Sequence, residues 1–254
     1  MKSYRYLSFI LIMILALLDA KASEEYTYII GVEDNRYFPH YTYENGEYKG
    51  IGRRVIDKFF SSKGYKFEYR VLPVRRLFHN LVDLEIDFKY PDNPFWSIAL
   101  KEGKGVIYSN PVMPNTDGVM VLEENYKKKT ANEIEILGTI RGFTAPQWLG
   151  RVEKGKLILT EIDNSRLLVK QVLAGRIEGA YANIDVMKYI LREEYKTPDA
   201  LVFDPSLPHT RDYYYLSTIK YPEIIDEFNV WLVENKDFLD SLKKEFNIMG
   251  HPEF

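Results

Sequence analysis

Twice along the chain, short β-branched and aromatic runs alternate with apolar residues at helical spacing. That double alternation limits the fold to parallel sheets carrying crossover helices. The first series opens with a strand over Tyr28 to Val32. Ile51, Val55, Phe59 and Phe60 then recur at helical spacing, and Gly64 supplies a stop. Lys66 to Leu72 reads as a second strand, and Leu77, Phe78, Leu81 and Val82 mark a second helix. Ile86 to Tyr90 is a third strand, ended by Pro91-Asp92-Asn93-Pro94. The second series places strands at Ile134 to Ile140, Lys156 to Ile162, Gly179 to Asn183 and Ala200 to Phe203. Its helices run from Ala145 to Val152, through Leu167, Leu168, Val172 and Leu173 behind an Asp163-Asn164-Ser165 cap, and from Val186 to Glu194.

Two stretches fit neither series. Val106 to Leu122 reads as strand-like pieces flanking Asn110-Pro111 and Pro114 to Gly118, a crossing between halves. Pro205-Ser206-Leu207-Pro208 marks a return, followed by a strand over Tyr213 to Thr218. Ile224, Ile225, Phe228, Trp231 and Leu232 form an amphipathic helix begun by Pro222, and Phe238, Leu239, Leu242 and Phe246 form another. This tail has no sheet of its own, so it is expected to pack back on the first half. Two α/β lobes joined by two crossings leave a cleft, where small-molecule sites commonly sit.

The first residues are set aside from the fold. Lys2 and Arg5 precede an apolar run from Leu7 to Leu18, and Ala20-Lys21-Ala22 is a small-x-small site. This is a secretory signal peptide pattern, cleaved after Ala22. The run falls short of the roughly 20 apolar residues that span a bilayer. No cysteine occurs in the 254 residues, which excludes disulfides, thiolate metal sites and a lipoprotein anchor. The whole chain carries a net charge of −3. Cleavage would remove Lys2, Arg5, Lys21 and Asp19 and leave about −5, which argues against a nucleic-acid partner. The expected division is a signal peptide over 1–22, lobe 1 from 23–111 and 209–254, and lobe 2 over 112–208.

Several short motifs follow one another in a recognisable order. Ile30-Gly31-Val32 leads to Tyr37-Phe38-Pro39 and then to the turn Asn45-Gly46-Glu47-Tyr48-Lys49-Gly50. Pro73 and Arg76 precede a helix, and Ile86-Asp87 opens a strand. Ile107-Tyr108-Ser109-Asn110-Pro111 stands before the crossing, and Gly138-Thr139-Ile140-Arg141-Gly142-Phe143-Thr144 lies in the second half. Leu173-Ala174-Gly175-Arg176-Ile177-Glu178-Gly179-Ala180 completes the set. In this order and spacing the chain resembles the extracellular solute-binding proteins of family 3, the polar amino-acid type that serves ABC transporters. The resemblance implies an α/β, two-lobed periplasmic-binding-protein-like fold of type II. Each lobe would be a mainly parallel sheet flanked by helices, with two hinge crossings. It further implies a periplasmic monomer that captures a small polar ligand, amino-acid-like or a small organic acid, and presents it to a transporter permease. A sensor subunit for signalling is the alternative, with a dehydratase-like enzyme behind it. No cofactor is implied.

Two departures bear on the ligand. Amino-acid-binding members carry Thr-x-x-Arg after the third strand, whereas Lys89 to Trp96 holds no arginine. Those members also place an aspartate after a strand of the second lobe, where this chain has Asn183. Both charged halves of the usual amino-acid clamp are therefore missing.

Loops at the carboxyl ends of parallel strands line such a crevice. That rule selects Glu33, Tyr37 and Phe38 after the first strand and Tyr90, Asn93 and Trp96 after the third. Arg76 follows the second strand, and either it or Arg75 is expected to reach the cleft. In the second half, Arg141, Gly142, Phe143 and Thr144 sit where a strand feeds a helix. Free backbone N–H groups and an arginine there would favour an anion or a carbonyl group. Asn183 ends a strand on the same crevice. No residue is assigned a catalytic role. His40, His79, His209 and His251 show no metal-ligand spacing, and neither a nucleophile elbow nor a phosphate-cradling glycine loop is present. Glu33 and Asp34 are adjacent acids in a loop and are read as solvated or ligand-facing rather than catalytic.

Overall fold

The computed structural model describes residues 26–249. The signal-peptide reading of 1–22 lies outside the described residues. Among those described, no helix is long and apolar enough to cross a membrane.

The first series forms β1 (Thr27–Glu33), α1 (Ile51–Ser62), β5 (Lys66–Leu72), α2 (Val74–Val82) and β6 (Phe88–Asp92). Strand β1 runs parallel to β5 from Thr27 opposite Lys66 to Glu33 opposite Leu72, and parallel to β6 on its other side. It lies between two partners, so its second half is buried without alternation. Helix α1 buries Ile51, Val55, Ile56, Phe59 and Phe60, the helical stripe legible in the sequence. It starts after Gly50, whose φ is 102°. A Cβ there would stand 2.9 Å from the carbonyl oxygens of Pro39 and His40, so only glycine fits the turn. Asp87, ahead of β6, is 1% exposed. Its carboxylate accepts the Ile29 N–H at 2.8 Å and pairs with Lys220, tying β1 to the chain before the tail helices.

Between β1 and α1 the sequence reads only an aromatic-proline loop and a turn. The structure instead forms β2 (Arg36–Tyr37), β3 (Tyr41–Glu44) and β4 (Glu47–Lys49) as a small antiparallel sheet. Strands of two to four residues are too short to show an alternation.

The second series forms β9 (Ile136–Ile140), α4 (Pro146–Glu153), β10 (Ile158–Ile162), α5 (Ser165–Leu173), β11 (Gly179–Asn183) and α6 (Ile184–Tyr189). A π-helical turn over Ile190–Tyr195 follows α6. Strand β9 is parallel to both β10 and β11. The Asn164 side chain caps α5 by accepting the Leu167 N–H at 2.9 Å.

The two series meet through β8 (Met113–Leu122) and β13 (Thr210–Thr218). Strand β8 pairs antiparallel with β11, with β12 (Leu201–Phe203) and with the first part of β13. Past Tyr214, β13 changes partner to β6 and to β7 (Ile107–Tyr108), with a register irregularity between Tyr215 and Ser217. One curled ten-stranded sheet results, in the order β10-β9-β11-β8-β13-β6-β1-β5, with β12 and β7 off that path. The sheet is therefore mixed: parallel inside each series, antiparallel where the series join. Helices α7 (Pro222–Glu234) and α8 (Lys236–Glu245) pack back on the first series, with the Phe228 ring 4.8 Å from that of Phe59. A short helix α3 (Ile98–Lys101) follows β6.

Candidate functional site

Where β1, β6 and β9 run out, the halves border a cavity that opens partly to solvent, about 390 Å³ with its open mouth included. Glu33, the last residue of β1, lines it together with Tyr37 of β2 and Tyr41 of β3. Helix α2 contributes Val74 and Phe78, and the loop after β6 contributes Trp96. From across the cleft come Asp117 of β8 and Gly142, Phe143 and Thr144 after β9, and the joining strand β13 contributes Tyr214. A wider groove past Phe78 and Phe143 leads outward between Arg75 and His79 on one side and Leu149 and Glu161 on the other.

Below the cavity lies a buried charge network. Glu33 is 1% exposed and Lys89 fully buried. The Tyr41 hydroxyl donates to Glu33 Oε2, and Lys89 Nζ stands 3.7 Å from Glu33 Oε1. Lys89 donates to the Pro91 carbonyl and lies 3.8 Å from Asp92, which in turn pairs with Lys101 at 3.2 Å. The four groups balance formally. Burial raises the Glu33 carboxyl above its usual range, and Lys89 and Tyr41 oppose that rise. Burial likewise lowers the Lys101 ammonium, with Asp92 opposing it.

Asp117 is treated differently. Its carboxylate accepts one weak hydrogen bond, from Asn115 Nδ2 at 3.3 Å, and has no ion pair among the described residues. Burial is the largest cause that pushes its carboxyl up to about 7; the Asn115 hydrogen bond opposes this, and the acids Asp212 and Glu33 add to it.

The remaining expected site residues are distributed unevenly. Glu33, Tyr37, Trp96, Gly142, Phe143 and Thr144 line the cavity. Asn183 sits behind the wall, and its side chain is fully engaged. Its Oδ1 caps α6 by accepting the N–H groups of Asp185 and Val186, and its Nδ2 donates to Asn115 Oδ1 and to the Tyr214 hydroxyl. Its backbone N–H donates to the Tyr37 hydroxyl at 3.0 Å, a direct bond between the halves.

Arg141 does not line the cavity, contrary to the expectation from its position. Its side chain is largely exposed and pairs with Asp163 at 2.9 Å, drawn out of the cleft by that acid. Three backbone amides here already have acceptors in the protein. Arg141 N–H donates to Ile162, Gly142 N–H to Glu161 and Phe143 N–H to Ile140. Arg76 is exposed and does not line the cavity; its neighbour Arg75 reaches across the mouth to Glu161 at 2.8 Å.

Phe38 packs on Tyr189 at 4.6 Å and Phe246 at 5.6 Å and lines a separate groove. Tyr90 is buried against Gly52 of α1, where an added Cβ would meet its ring at 2.8 Å. Asn93 braces its own loop by donating to the Tyr213 carbonyl at 3.0 Å and accepting the Phe95 N–H at 2.8 Å. Tyr41, Val74, Phe78, Asp117 and Tyr214 line the cavity without having been expected there. Asp117 lies in the stretch the sequence presents as a crossing, and Tyr214 on the strand expected over Tyr213 to Thr218, whose pairing with β8 the sequence does not give.

The described residues hold no cluster of three or more metal-ligating side chains. No protein-family model and no curated protein matches the chain. Solved structures do. A histidine kinase sensor domain with similarity to periplasmic binding proteins matches at a TM-score of 0.71 and 16% identity, over 90% of this chain and 100% of the other. The arginine-, lysine-, histidine-binding protein ArtJ from Geobacillus stearothermophilus matches at a TM-score of 0.70 and 15% identity, over 90% of this chain and 97% of the other. An ancestral amino acid-binding protein, a precursor of cyclohexadienyl dehydratase, matches at 0.67 and 20% identity, over 87% of this chain and 95% of the other. Likeness at such identities is a likeness of fold, and on that ground the chain has the α/β two-lobed, periplasmic-binding-protein-like fold.

Proposed function

We propose that this protein captures one small polar ligand between its two halves and leaves it chemically unchanged. The observation that carries this reading is the aromatic-walled cavity at the carboxyl ends of β1 and β9, closed by bonds that run from half to half. The proposed lobes are residues 23–111 with 209–254, and 112–208. The mechanism is a clamshell in which the crossings near Pro111 and Pro208 bend while each lobe moves as a body. Tyr37 and Arg75 act as latches, because each bonds across the cleft. Residues 1–22 serve as a signal peptide that delivers the protein to the periplasm as a monomer. There the closed form is presented to the permease of an ABC transporter. The sensor domain among the structural relatives favours a second reading, in which the closed form is read by a membrane sensor.

The test is a thermal-shift screen of the mature protein against amino acids, opines, organic acids, sugars, amines and peptides. One class of compound is expected to raise the unfolding temperature, by roughly 2.7 kcal/mol of added stability at a hundred times its Kd. X-ray scattering is expected to show a more compact particle with that compound. Chemical conversion of the compound, or no shift with any class, would overturn the reading.

A further inference from the structure

Resting on the capture reading, we propose that the cavity selects a small organic cation without a carboxylate, its positive head against Asp117 inside a cage of aromatic rings. The rings of Tyr37, Tyr41, Phe78, Trp96, Phe143 and Tyr214 face the space. Two pairs meet at steep angles, Tyr37 with Phe143 at 70° and Trp96 with Tyr214 at 69°, and Tyr37 meets Tyr41 at 30°. Several π-systems bordering one small space attract a desolvated cation, as the Phe78 and Trp96 rings already do with Lys89 Nζ at 4.4 and 5.6 Å.

The charges agree with the rings. No lysine or arginine lines the cavity. Lys89 lies beneath it, over the Phe78 ring at 4.4 Å, but Glu33 and Asp92 flank it and balance its charge. Of the two acids that line the cavity, Asp117 is the one with no ion pair among the described residues. An acidic or zwitterionic ligand would bring its own carboxylate to this wall. Arg141 is turned outward, and Glu161 occupies the Gly142 N–H where an anion would dock. Such a ligand would bury an unpaired negative charge beside an existing one.

The groups whose charge bears most on Asp117 are acids, while His209 and Arg211 flank Thr210, the residue opposite it on β13. Glu33 comes from β1, Asp212 and Tyr214 from β13, Tyr37 from β2 and Tyr181 from β11. Burial raises the three phenols, which stay neutral, so loss of the Asp117 charge at lower pH goes uncompensated.

The test is calorimetric titration of the mature protein with two matched pairs, choline against glycine betaine and agmatine against arginine. The members of each pair differ chiefly by a carboxylate. At pH 8, choline or agmatine is expected to bind, with its carboxylate partner at least about tenfold weaker. Asp117→Asn is expected to lose about tenfold or more of that affinity. Trp96→Ala, a change on a half-buried loop side chain, is expected to lose severalfold. Lowering the pH from 8 to 6 is expected to weaken cation binding by up to about tenfold as Asp117 takes a proton. Equal or tighter binding of the carboxylate partners, unchanged cation affinity in Asp117→Asn, or no binding of all four probes would overturn the proposal. If none of the four binds while another compound in the thermal-shift screen does, capture stands and the cation proposal falls. If no compound binds, both fall.

Discussion

Glu33 and Asp117 line the same cavity from opposite walls, yet only Glu33 has a buried ammonium beside it. Glu33 belongs to a closed network with Lys89, Asp92 and Lys101, and each charge there has an opposite within 4 Å. Asp117 has one amide donor and acidic neighbours. The difference separates two uses of an acid at a cavity wall, Glu33 buried and Asp117 half-buried. A compensated carboxylate braces the loops that form a site. An uncompensated one is a liability to the empty protein that a bound cation relieves.

The sharpest way to break the comparison is to remove the compensation. Lys89→Met leaves Glu33 and Asp92 buried around an apolar side chain. A loss of about 3–5 kcal/mol of stability at pH 7 is expected in urea unfolding. A loss under about 1 kcal/mol would mean that the network is not what holds Glu33 in place.

Asp117→Asn is expected to act in the opposite direction. The Asp117 carboxyl titrates near 7 in the folded protein, above its value in the unfolded chain. Between about pH 4 and 7 the unfolded chain therefore binds fewer protons than the folded one, and folding loses stability as the pH rises. The variant removes that loss. Thermal unfolding should show no difference from the parent near pH 4, and a gain on the order of 2 kcal/mol above pH 7. A variant less stable than the parent at pH 8 would contradict the reading.

Smaller effects test the contacts between the halves. Tyr37→Phe removes the acceptor of the buried Asn183 N–H, at a cost of about 1–2 kcal/mol in chemical unfolding. Arg75→Ala removes a solvent-exposed pair with Glu161, so stability should change by less than about 0.5 kcal/mol. Its effect should appear in motion instead. Distance distributions between spin labels on the two halves should show a larger open population than in the parent.

Much of the scaffold was legible because the strands of the two series are rich in β-branched and aromatic residues, β5 by alternation, and the helices carry apolar stripes. The Asn164 cap and the Gly50 turn were equally local. What the sequence hid is the joining pair, β8 and β13. Its register, with Asp117 opposite Asn183 on one side and Thr210 on the other, brings an acid from a presumed crossing to the cavity wall. Nothing in Asn115-Thr116-Asp117 announces this, because pairing between distant segments sets it. Arg141 shows the converse. Its position after β9 suggests a clamp, but Asp163 across the turn satisfies the guanidinium outside. Asn183 likewise ends the expected strand, but helix capping claims its side chain. Position along the fold was readable; the direction a polar side chain takes depended on partners that only packing supplies.

The most direct test is titration of the Asp117 carboxyl carbon by NMR in the ligand-free protein, with Asp117→Asn to assign the signal. An uncompensated acid on the cavity wall predicts a midpoint near 7 that falls when choline or agmatine is bound. A midpoint below about 5, unmoved by either compound, would place a hidden cation or bulk water at Asp117 and contradict the account.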